Sequence, residues 1–477
     1  MTGRRTRRLQ GLIVAAVLIA AAVGLILALT GGGKGKLKPA AGNGGGTYDP
    51  LAYDKDRRAE FEQDAATGEG HVVFAKSPGG VIATARRTAH FRPLIDRAAK
   101  AGGIDPNMLE AVVFLESAGR PDVVAGNDLS GATGLTQILA ETGTNLLGMH
   151  VNLAASKRLT RRIDNARSAK GRQRLERSRM RVDQRFDPAR SLAATVRYLT
   201  IARKQFGQDD FAFTSYHMGI GNLQSVLRDY GGGKDLTYAQ VYFDSSPLNH
   251  PKAYALLSRF GDDSSNYYWK LLEAKRIMSL YRSNPASLRS LSALQNGRAS
   301  AELVLHPEGT TQVFANPQAV LDATAADRLA RLPNDPKKYG FQVDPLLGQF
   351  ASRLGQKPAA YSALRPEALA LLVYLSEGVR AIATGSSPLL VTSAVRDEKY
   401  QRLVAAANIE ATHGYSLHTT GYAFDIRRRY SSRAQALAFQ FMLDRLQAMN
   451  LIAWVREPDA IHVTVSSSAR RLEPLLH

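Results

Sequence analysis

One stretch decides the N-terminal half of the fold, and it reads DPNMLEAVVFLESAG from Asp105 to Gly119. Asp favours the N-cap, Pro favours the first turn and Gly follows the end of many helices, so the stretch predicts a helix between these residues. Glu116 shares one face of that helix, through the spacing i, i+3, i+4, i+7, with three aliphatic residues: Leu109, Val112 and Val113. Burial among them raises the pKa of a carboxyl group, so Glu116 is a candidate proton donor. The alternative interpretation is a glutamate salt-bridged at a helix end.

Two further motifs follow in order along the chain. Ser130–Ile138 reads SGATGLTQI, and Ser215–Asn222 reads SYHMGIGN. With the Glu116-Ser117 pair, they resemble the soluble lytic transglycosylase (SLT) family over roughly residues 88–285. The resemblance implies an all-α, lysozyme-like domain. Thr136 stands where the family usually has Met, and His217 where it usually has Asn.

The resemblance also implies a mechanism that uses a single carboxylate and no cofactor. Glu116 would protonate the glycosidic oxygen after N-acetylmuramic acid and then accept a proton from the sugar's 6-hydroxyl, which leaves a 1,6-anhydro end. Ser117, Gln137 and Tyr216 would bind the glycan, with Tyr216 orienting Glu116. Most glycosidases use two carboxylates. If Asp122 or Asp128 faced Glu116 across a water, the domain would be a simple muramidase.

A second group of polar residues indicates a metal site near the C-terminus. Ser416–Ile426 reads SLHTTGYAFDI, and EPDAIHVTV follows at 457–465. Strand alternation places Asp425 and His462 on the opposite face from their hydrophobic neighbours. With His418 they make two histidines and one aspartate, which suits a catalytic zinc ion that keeps an open position. The sequence has no cysteine, so a thiolate site is excluded.

These residues resemble the zinc D,D-carboxypeptidase and L-alanyl-D-glutamate endopeptidase family (peptidase family M15) over roughly residues 385–466. The resemblance implies His418, Asp425 and His462 as zinc ligands. It implies Asp459, three residues before the last histidine, as the catalytic base, with Glu457 as the alternative. It also implies that Arg396 binds a substrate carboxylate. A domain that keeps this fold but has lost catalysis would be a stem-peptide binder.

The N-terminus predicts a membrane anchor. Residues 1–8 carry four arginines and no acid, and Leu12–Leu29 has no polar side chain over 18 residues. A helix of this length spans roughly 27 Å, close to the hydrocarbon core of a bilayer. Residues 9–30 are therefore expected to cross the cytoplasmic membrane once, with the N-terminus inside and both catalytic domains outside. A cleaved signal peptide is the alternative, and it also exports the chain.

Charge and composition fit an exported wall protein. The 62 Lys and Arg against 42 Asp and Glu give a net charge of +20, and Lys157–Arg190 alone holds 13 basic and 4 acidic residues. This excess favours polyanionic partners. Export makes peptidoglycan the expected partner, with anionic wall polymers possible and nucleic acid excluded.

The chain is thus expected to be multidomain. A tail (1–8) and anchor (9–30) precede a tether and linker (31–87), the lysozyme-like domain (88–285), a connector (286–338) and a C-terminal α+β domain (339–477). Two functions are compatible with this order. The first is a wall hydrolase that cuts glycan and stem peptide, and the second is a wall-binding scaffold with an inactive C-terminal domain.

Overall fold

The computed structural model describes residues 49–476 apart from 127, 234, 299 and 410. The expected tail and membrane anchor, and the first part of the tether, lie outside the described residues. Within the described part of the chain, no helix is both long and apolar enough to cross a membrane.

Helices dominate the chain from residue 58 to residue 325. In chain order they are α1 (Arg58–Gly68), α2 (Gly70–Ala75), α3 (Val81–Ala89), α4 (Arg92–Gly102), α5 (Pro106–Ser117), α6 (Ala140–Asn145), α7 (Leu153–Asp164), α8 (Ala169–Val182), α9 (Pro188–Phe206), α10 (Asp209–Met218), α11 (Ile220–Tyr230), α12 (Tyr238–Asp244), α13 (Pro251–Ser265), α14 (Tyr267–Ser283), α15 (Pro285–Asn296), α16 (Ala301–Leu305) and α17 (Pro317–Ala325).

The C-terminal part mixes helices and strands. Its helices are α18 (Pro366–Ile382), α19 (Glu398–Ala407) and α20 (Arg433–Ala448). Its strands are β1 (Ala330–Arg331), β2 (Phe341–Val343), β3 (Ala363–Leu364), β4 (Leu389–Ser393), β5 (Ala423–Arg427), β6 (Ile452–Arg456) and β7 (Ala460–Val465). The prediction of a helical domain followed by an α+β region is confirmed.

Helix α5 lies at the centre of the helical unit and packs against α3, α4 and α14. Its N-terminus is capped as the sequence predicts, because the Asp105 carboxylate accepts a hydrogen bond from the backbone N–H of Asn107 at 2.9 Å. Eight of the twelve residues of α5 are buried, so this helix holds the end that carries Glu116 in a fixed position.

Residues 49–87 were expected to form a tether and linker, but they are mostly helical. Phe74 of α2 and Val81 of α3 belong to the core of the helical unit. Phe61 of α1 belongs instead to the core of the C-terminal unit. This segment had no clear helical period in the sequence, and it folds because it packs against both units.

The C-terminal unit is built on a five-stranded sheet with the order β2-β4-β5-β7-β6. Strands β2 and β4 are parallel, and the remaining neighbours are antiparallel. Helices α18 and α20 pack together and against the sheet. Asp425 of β5 pairs directly with His462 of β7, so the two side chains project from the same face of the sheet.

The later part of the expected connector, from α16 onward, is folded onto the C-terminal unit, whereas α15 packs against the helical unit. Strand β1 pairs with β3, and the backbone of Phe314 bonds to the backbones of Thr419 and Glu398 at 2.8 and 2.9 Å. Phe314 is buried in a small cluster with Leu329 and Val395. Residues before 339 therefore complete this unit.

Candidate active sites

Glu116 lies at the C-terminal end of α5, at the wall of a cleft of about 270 Å³. The three aliphatic residues that share its helix face are fully buried: Leu109, Val112 and Val113. The chain then turns sharply through Gly119, whose φ is 70°. A Cβ added there would lie 2.5 Å from the backbone nitrogen of Thr88, so only glycine lets α3 approach this closely.

Burial raises the pKa of Glu116 to about 7. The hydroxyl of Tyr267 donates a hydrogen bond to Glu116 Oε1 at 2.6 Å, which stabilises the carboxylate and opposes the rise. A pKa near neutrality means that the group is present in both protonation states at pH 7. It can therefore both donate and accept a proton, as a single catalytic carboxyl group must.

Tyr216, which the resemblance predicts to orient Glu116, makes its hydroxyl contacts elsewhere. The Tyr216 hydroxyl donates to the backbone oxygen of Thr136 at 2.6 Å and lies 3.2 Å from Thr195 Oγ1. Tyr267, at the start of α14, is the residue whose hydroxyl contacts the acid. The aromatic run Tyr267-Tyr268-Trp269 indicates only a helical core, and nothing in it signals a partner for a carboxyl group 151 residues away.

The other two predicted glycan-binding residues occupy different positions. Ser117 lines the cleft beside Glu116, although its hydroxyl donates to the backbone oxygen of Val113 at 3.2 Å. Gln137 has a left-handed backbone, with φ 51°, and its amide donates to the backbone oxygens of Val123 and Gly134. Of the described residues that line the cleft, none is Gln137 or Tyr216.

The loop that carries Gln137 is held from beneath by a buried ion pair. Arg185 is fully buried and pairs with Asp183 at 2.8 Å. The Arg185 guanidinium also donates to three backbone oxygens of the loop: Leu129, Gly131 and Ile138. At Gly134 an added Cβ would lie 1.9 Å from the backbone oxygen of Arg185, so the motif needs glycine at that position.

The cleft also contains a second carboxylate, but not one of those expected. Asp128 is exposed and pairs with Lys157 at 3.0 Å, and neither Asp128 nor Asp122 lines the cleft among the described residues. Asp263 does line it, and Lys270 donates to Asp263 at 2.9 Å.

The aromatic ring of His217 packs in the same cleft. It stacks on Tyr267 with the ring centres 5.0 Å apart, and its Nδ1 lies 3.0 Å from Ser264 Oγ. His217, which stands where the SLT pattern has Asn, therefore packs against Tyr267, the residue that contacts Glu116. Burial lowers the pKa of His217.

Part of the helical unit matches a known protein family. Residues 93–238 match the transglycosylase SLT domain. The matched span of this SLT domain contains Glu116, Ser117, Gln137 and Tyr216, whereas Tyr267 lies beyond it. A comparison with curated proteins finds no match.

Three side chains of the C-terminal unit could hold a metal ion. One ligand atom from each of His418, Asp425 and His462 can be chosen so that all lie within 4.8 Å of one another. His418 Nε2 lies 3.2 Å from Asp425 Oδ2, and His462 Nδ1 lies 2.8 Å from Asp425 Oδ1. All the predicted ligands are thus brought together, although 37 residues separate Asp425 from His462.

The environment of His418 fits metal binding. Its Nδ1 lies 2.8 Å from the backbone oxygen of Ala394, a contact that places the proton on Nδ1 and leaves Nε2 as the ligand atom. Burial, together with Arg396, lowers the pKa of His418 to about 4, so this imidazole is neutral at pH 7. A neutral imidazole is the form that binds a metal.

Asp425 carries the negative charge of the cluster. Burial would raise its pKa, but His418 and His462 outweigh this and hold it well below its usual range. Burial would likewise lower the pKa of His462, and the contact with Asp425 raises it instead, to about 9. Without a metal, the imidazolium of His462 therefore neutralises the aspartate.

Arg396 lies beside this cluster, with Nη2 3.5 Å from Asp425 Oδ2. Its guanidinium also donates to Ser393 Oγ at 2.7 Å and to Gln401 Oε1 at 2.9 Å. It lines a neighbouring groove of about 340 Å³ as well as the pocket around the three candidate ligands. A substrate carboxylate in either space could therefore reach it.

The two candidate bases differ in position. Glu457 is half-buried and lines the pocket that contains His418, Asp425 and His462. Asp459 is exposed in the turn between β6 and β7 and lines only the neighbouring groove. The geometry therefore favours Glu457, the residue whose spacing departs from the family pattern.

A buried glutamate that the sequence did not single out also lies at this site. Glu302 of α16 is 6% exposed, and its Oε1 lies 3.6 Å from His462 Nε2. It comes from the connector, in a five-residue helix without a recognisable motif. Only the fold brings it beside a histidine of β7.

Proposed function

We propose that the helical unit cleaves the glycan strands of peptidoglycan by transglycosylation, with Glu116 as both acid and base. The SLT domain supports lytic transglycosylase activity on peptidoglycan. The single observation that carries the mechanism is the position of the Glu116 carboxyl group, which lies at the wall of the cleft with Oε1 2.6 Å from the Tyr267 hydroxyl. Among the described residues of the cleft, Glu116 is the carboxyl group whose pKa lies near neutrality.

The proton movements balance without water. Glu116 donates its proton to the glycosidic oxygen as the bond from that oxygen to C1 of the muramic acid breaks. The resulting carboxylate takes the proton of the 6-hydroxyl as O6 bonds to C1, which closes the anhydro ring and restores the acid. Holding the 6-hydroxyl within the same sugar replaces a second reactant through proximity. The Tyr267 hydroxyl stabilises the carboxylate between the two steps.

Simple hydrolysis is the competing reaction, and Asp263 is the carboxylate that could support it. It lines the same cleft as Glu116, but its pairing with Lys270 lowers its pKa and engages its oxygens. Digestion of purified peptidoglycan in H₂¹⁸O separates the two reactions. Transglycosylation yields anhydro ends without ¹⁸O, whereas a muramidase yields reducing ends that carry it.

The variant Glu116→Gln tests the assignment of the acid. It keeps the size of the side chain and removes the titrating proton, so release of anhydro-muropeptides should fall by at least about 10³-fold. Glu141→Gln, on the exposed first turn of α6, is the matched control and should behave as wild type. Undiminished release by Glu116→Gln would refute the assignment.

We further propose that the C-terminal unit is a zinc peptidase that acts on stem peptides, similar to peptidase family M15. His418, Asp425 and His462 would hold the ion, and this cluster supports the proposal. A bound zinc ion would supply a Lewis acid for the peptide carbonyl and a water of lowered pKa. Glu457 would accept the proton of the attacking water, with Asp459 as the alternative, and Arg396 would bind a substrate carboxylate.

Metal analysis tests this site apart from activity. The purified full chain should contain about one zinc, and His418→Ala should lose it. His413→Ala, in an exposed loop of the same unit, is the control. A metal-free wild-type chain that takes up no zinc on addition would exclude the site and leave a binding scaffold.

We infer that residues 9–30 anchor the chain in the cytoplasmic membrane with both units outside, where peptidoglycan lies. The arginines before the apolar run and the absence of cysteine support this location. Protease added to spheroplasts should degrade both units of the anchored chain. Release of the chain after signal cleavage would favour a secreted form instead.

A further inference from the structure

We propose that Glu302 of the connector is a positioning residue for the metal site, which fixes the imidazole of His462 from its outer side. This inference rests on the zinc site proposed above. The residues that would bind the ion come from β5, β7 and the turn before β5, whereas Glu302 comes from α16, outside the span that resembles the peptidase family.

The geometry of His462 defines what such a residue would do. Its Nδ1 faces Asp425 at 2.8 Å, on the side where His418 also lies, so Nδ1 is the nitrogen available to a metal. When an imidazole binds a metal through one nitrogen, the other carries a proton and needs an acceptor. On that outer side, Glu302 Oε1 lies 3.6 Å from His462 Nε2.

Thr464 links the two groups. Its hydroxyl donates to Glu302 Oε1 at 3.2 Å and lies 3.4 Å from His462 Nε2. All three side chains are at least largely buried, and Thr464 is completely so. Glu302 therefore reaches Nε2 through the Thr464 hydroxyl and through its charge, and the burial of these groups leaves little room for water to take its place.

Helix α16 is itself fixed to the sheet. His306 follows Glu302 by one helical turn, and its Nε2 lies 2.7 Å from the backbone oxygen of Val465. The ring of His306 stacks on Tyr422 at 3.9 Å, and the hydroxyl of Tyr415 donates to its backbone oxygen at 2.8 Å. These contacts hold the C-terminal end of α16, and with it Glu302, against β7.

The test compares zinc affinity among variants of the full chain, purified in detergent. Glu302→Gln keeps the packing and an acceptor oxygen but removes the charge. Complete loss of an outer partner lowers metal affinity about 10- to 100-fold, so in this variant, which keeps an acceptor, the zinc Kd measured by competition with a chromophoric chelator should rise by a factor near the lower end of that range. Glu308→Gln, exposed on the same connector, should leave the Kd unchanged.

The Co²⁺ spectrum shows how Glu302 acts. If Glu302 orients His462 without binding the ion, the Co²⁺ coordination number is the same in wild type and in Glu302→Gln. The intensity of the d–d bands, which reports that number, should then be similar in both. A change in coordination number would make Glu302 a ligand and overturn the inference. Circular dichroism checks the fold. If Glu302→Gln does not fold, Thr464→Val, which removes the bridging hydroxyl, should raise the Kd by a smaller factor, and an unchanged Kd would overturn the inference.

The failures can be told apart. A wild-type chain that binds one zinc, with the same Kd in Glu302→Gln, would overturn this inference and leave the zinc site intact. A wild-type chain that binds no zinc would overturn both.

Discussion

Glu116 is a carboxyl group placed by its helix rather than by charged neighbours. Its aliphatic partners on α5 remove water from one side, and the Tyr267 hydroxyl provides the single strong contact on the other. Because desolvation outweighs that hydrogen bond, the acid holds its proton up to about pH 7. The rate of glycan cleavage should therefore be highest below pH 7 and fall as the pH rises through it.

The variant Tyr267→Phe should change the pH at which activity falls on the alkaline side of the profile. Removing the hydroxyl withdraws stabilisation from the carboxylate, so the pKa of Glu116 rises and the loss of activity shifts to higher pH. Tyr216→Phe is the matched control, because its hydroxyl bonds to the backbone of Thr136 instead. The measurement is the pH profile of anhydro-muropeptide release. An equal shift in both variants would contradict the assignment of Tyr267.

Folding stability should respond to the same group. The pKa of Glu116 is higher in the folded chain than the ordinary 4.5, so the folded state binds more protons between these values and loses stability as the pH rises. Glu116→Gln removes this penalty. It should stabilise the chain by about 3 kcal/mol more at pH 8 than at pH 4, measured by denaturant titration. A stability difference independent of pH would contradict the raised pKa.

Some residues of the two sites were predictable from the sequence, and others were not. The spacing of Leu109, Val112, Val113 and Glu116 was sufficient to place the acid on a buried helix face. Strand alternation likewise placed Asp425 and His462 on one face of a sheet. Tyr267 and Glu302 could not be predicted, because each meets its partner only through long-range packing between elements that carry no motif.

At the level of elements, the loop from Leu129 to Ile138 depends on a buried cation. Arg185 satisfies three of its backbone oxygens, and Asp183 balances its charge. Arg185→Met should therefore cost about 3–5 kcal/mol in the free energy of unfolding, because it leaves a buried carboxylate unpaired. Chemical denaturation measures this loss, and the exposed Arg172→Met on α8 should cost almost nothing.

A double variant isolates the ion pair. Asp183→Asn with Arg185→Met removes both charges, so its loss of stability should be smaller than the sum of the two single losses. Strict additivity would mean that the pair contributes nothing beyond its separate hydrogen bonds.

Elements with a strong period were predictable, whereas those held by packing were not. Asp425 and His462 lie in β5 and β7, as the strand alternation of those segments predicts. Helix α1 has a weaker signal. The face of α1 is divided between two cores, so its sequence has no single hydrophobic side.

At the scale of the whole molecule, polar contacts join the helical unit to the C-terminal unit. Arg445 of α20 donates to the backbone oxygens of Tyr242 and Ser245 at 2.9 and 2.6 Å. Arg471, near the C-terminus, pairs with Glu60 and Asp64 of α1 at 2.8 and 3.0 Å. Neither arginine could be assigned a partner from the sequence, because the partners lie at least 200 residues away.

Removing the first of these contacts should weaken the coupling between the units. Wild type is expected to unfold in one calorimetric transition, whereas Arg445→Ala should split or broaden it, because two backbone oxygens lose their donors. Arg433→Ala, exposed at the start of the same helix, should retain the wild-type transition. Two separate transitions already present in wild type would show that the units fold independently.

The Arg445 guanidinium also lies within about 5 Å of the rings of Tyr242, Phe243 and Phe441, so cation–π contacts on both units add to its hydrogen bonds. Contacts of this kind restrict the movement of one unit against the other, so we expect the two clefts to stay at a constant distance. If both clefts cut the wall, the fixed distance between them would set the spacing of the two cuts. The breaks that the chain makes in sugar strands and in cross-bridges would then fall at a regular interval set by the protein rather than by the mesh.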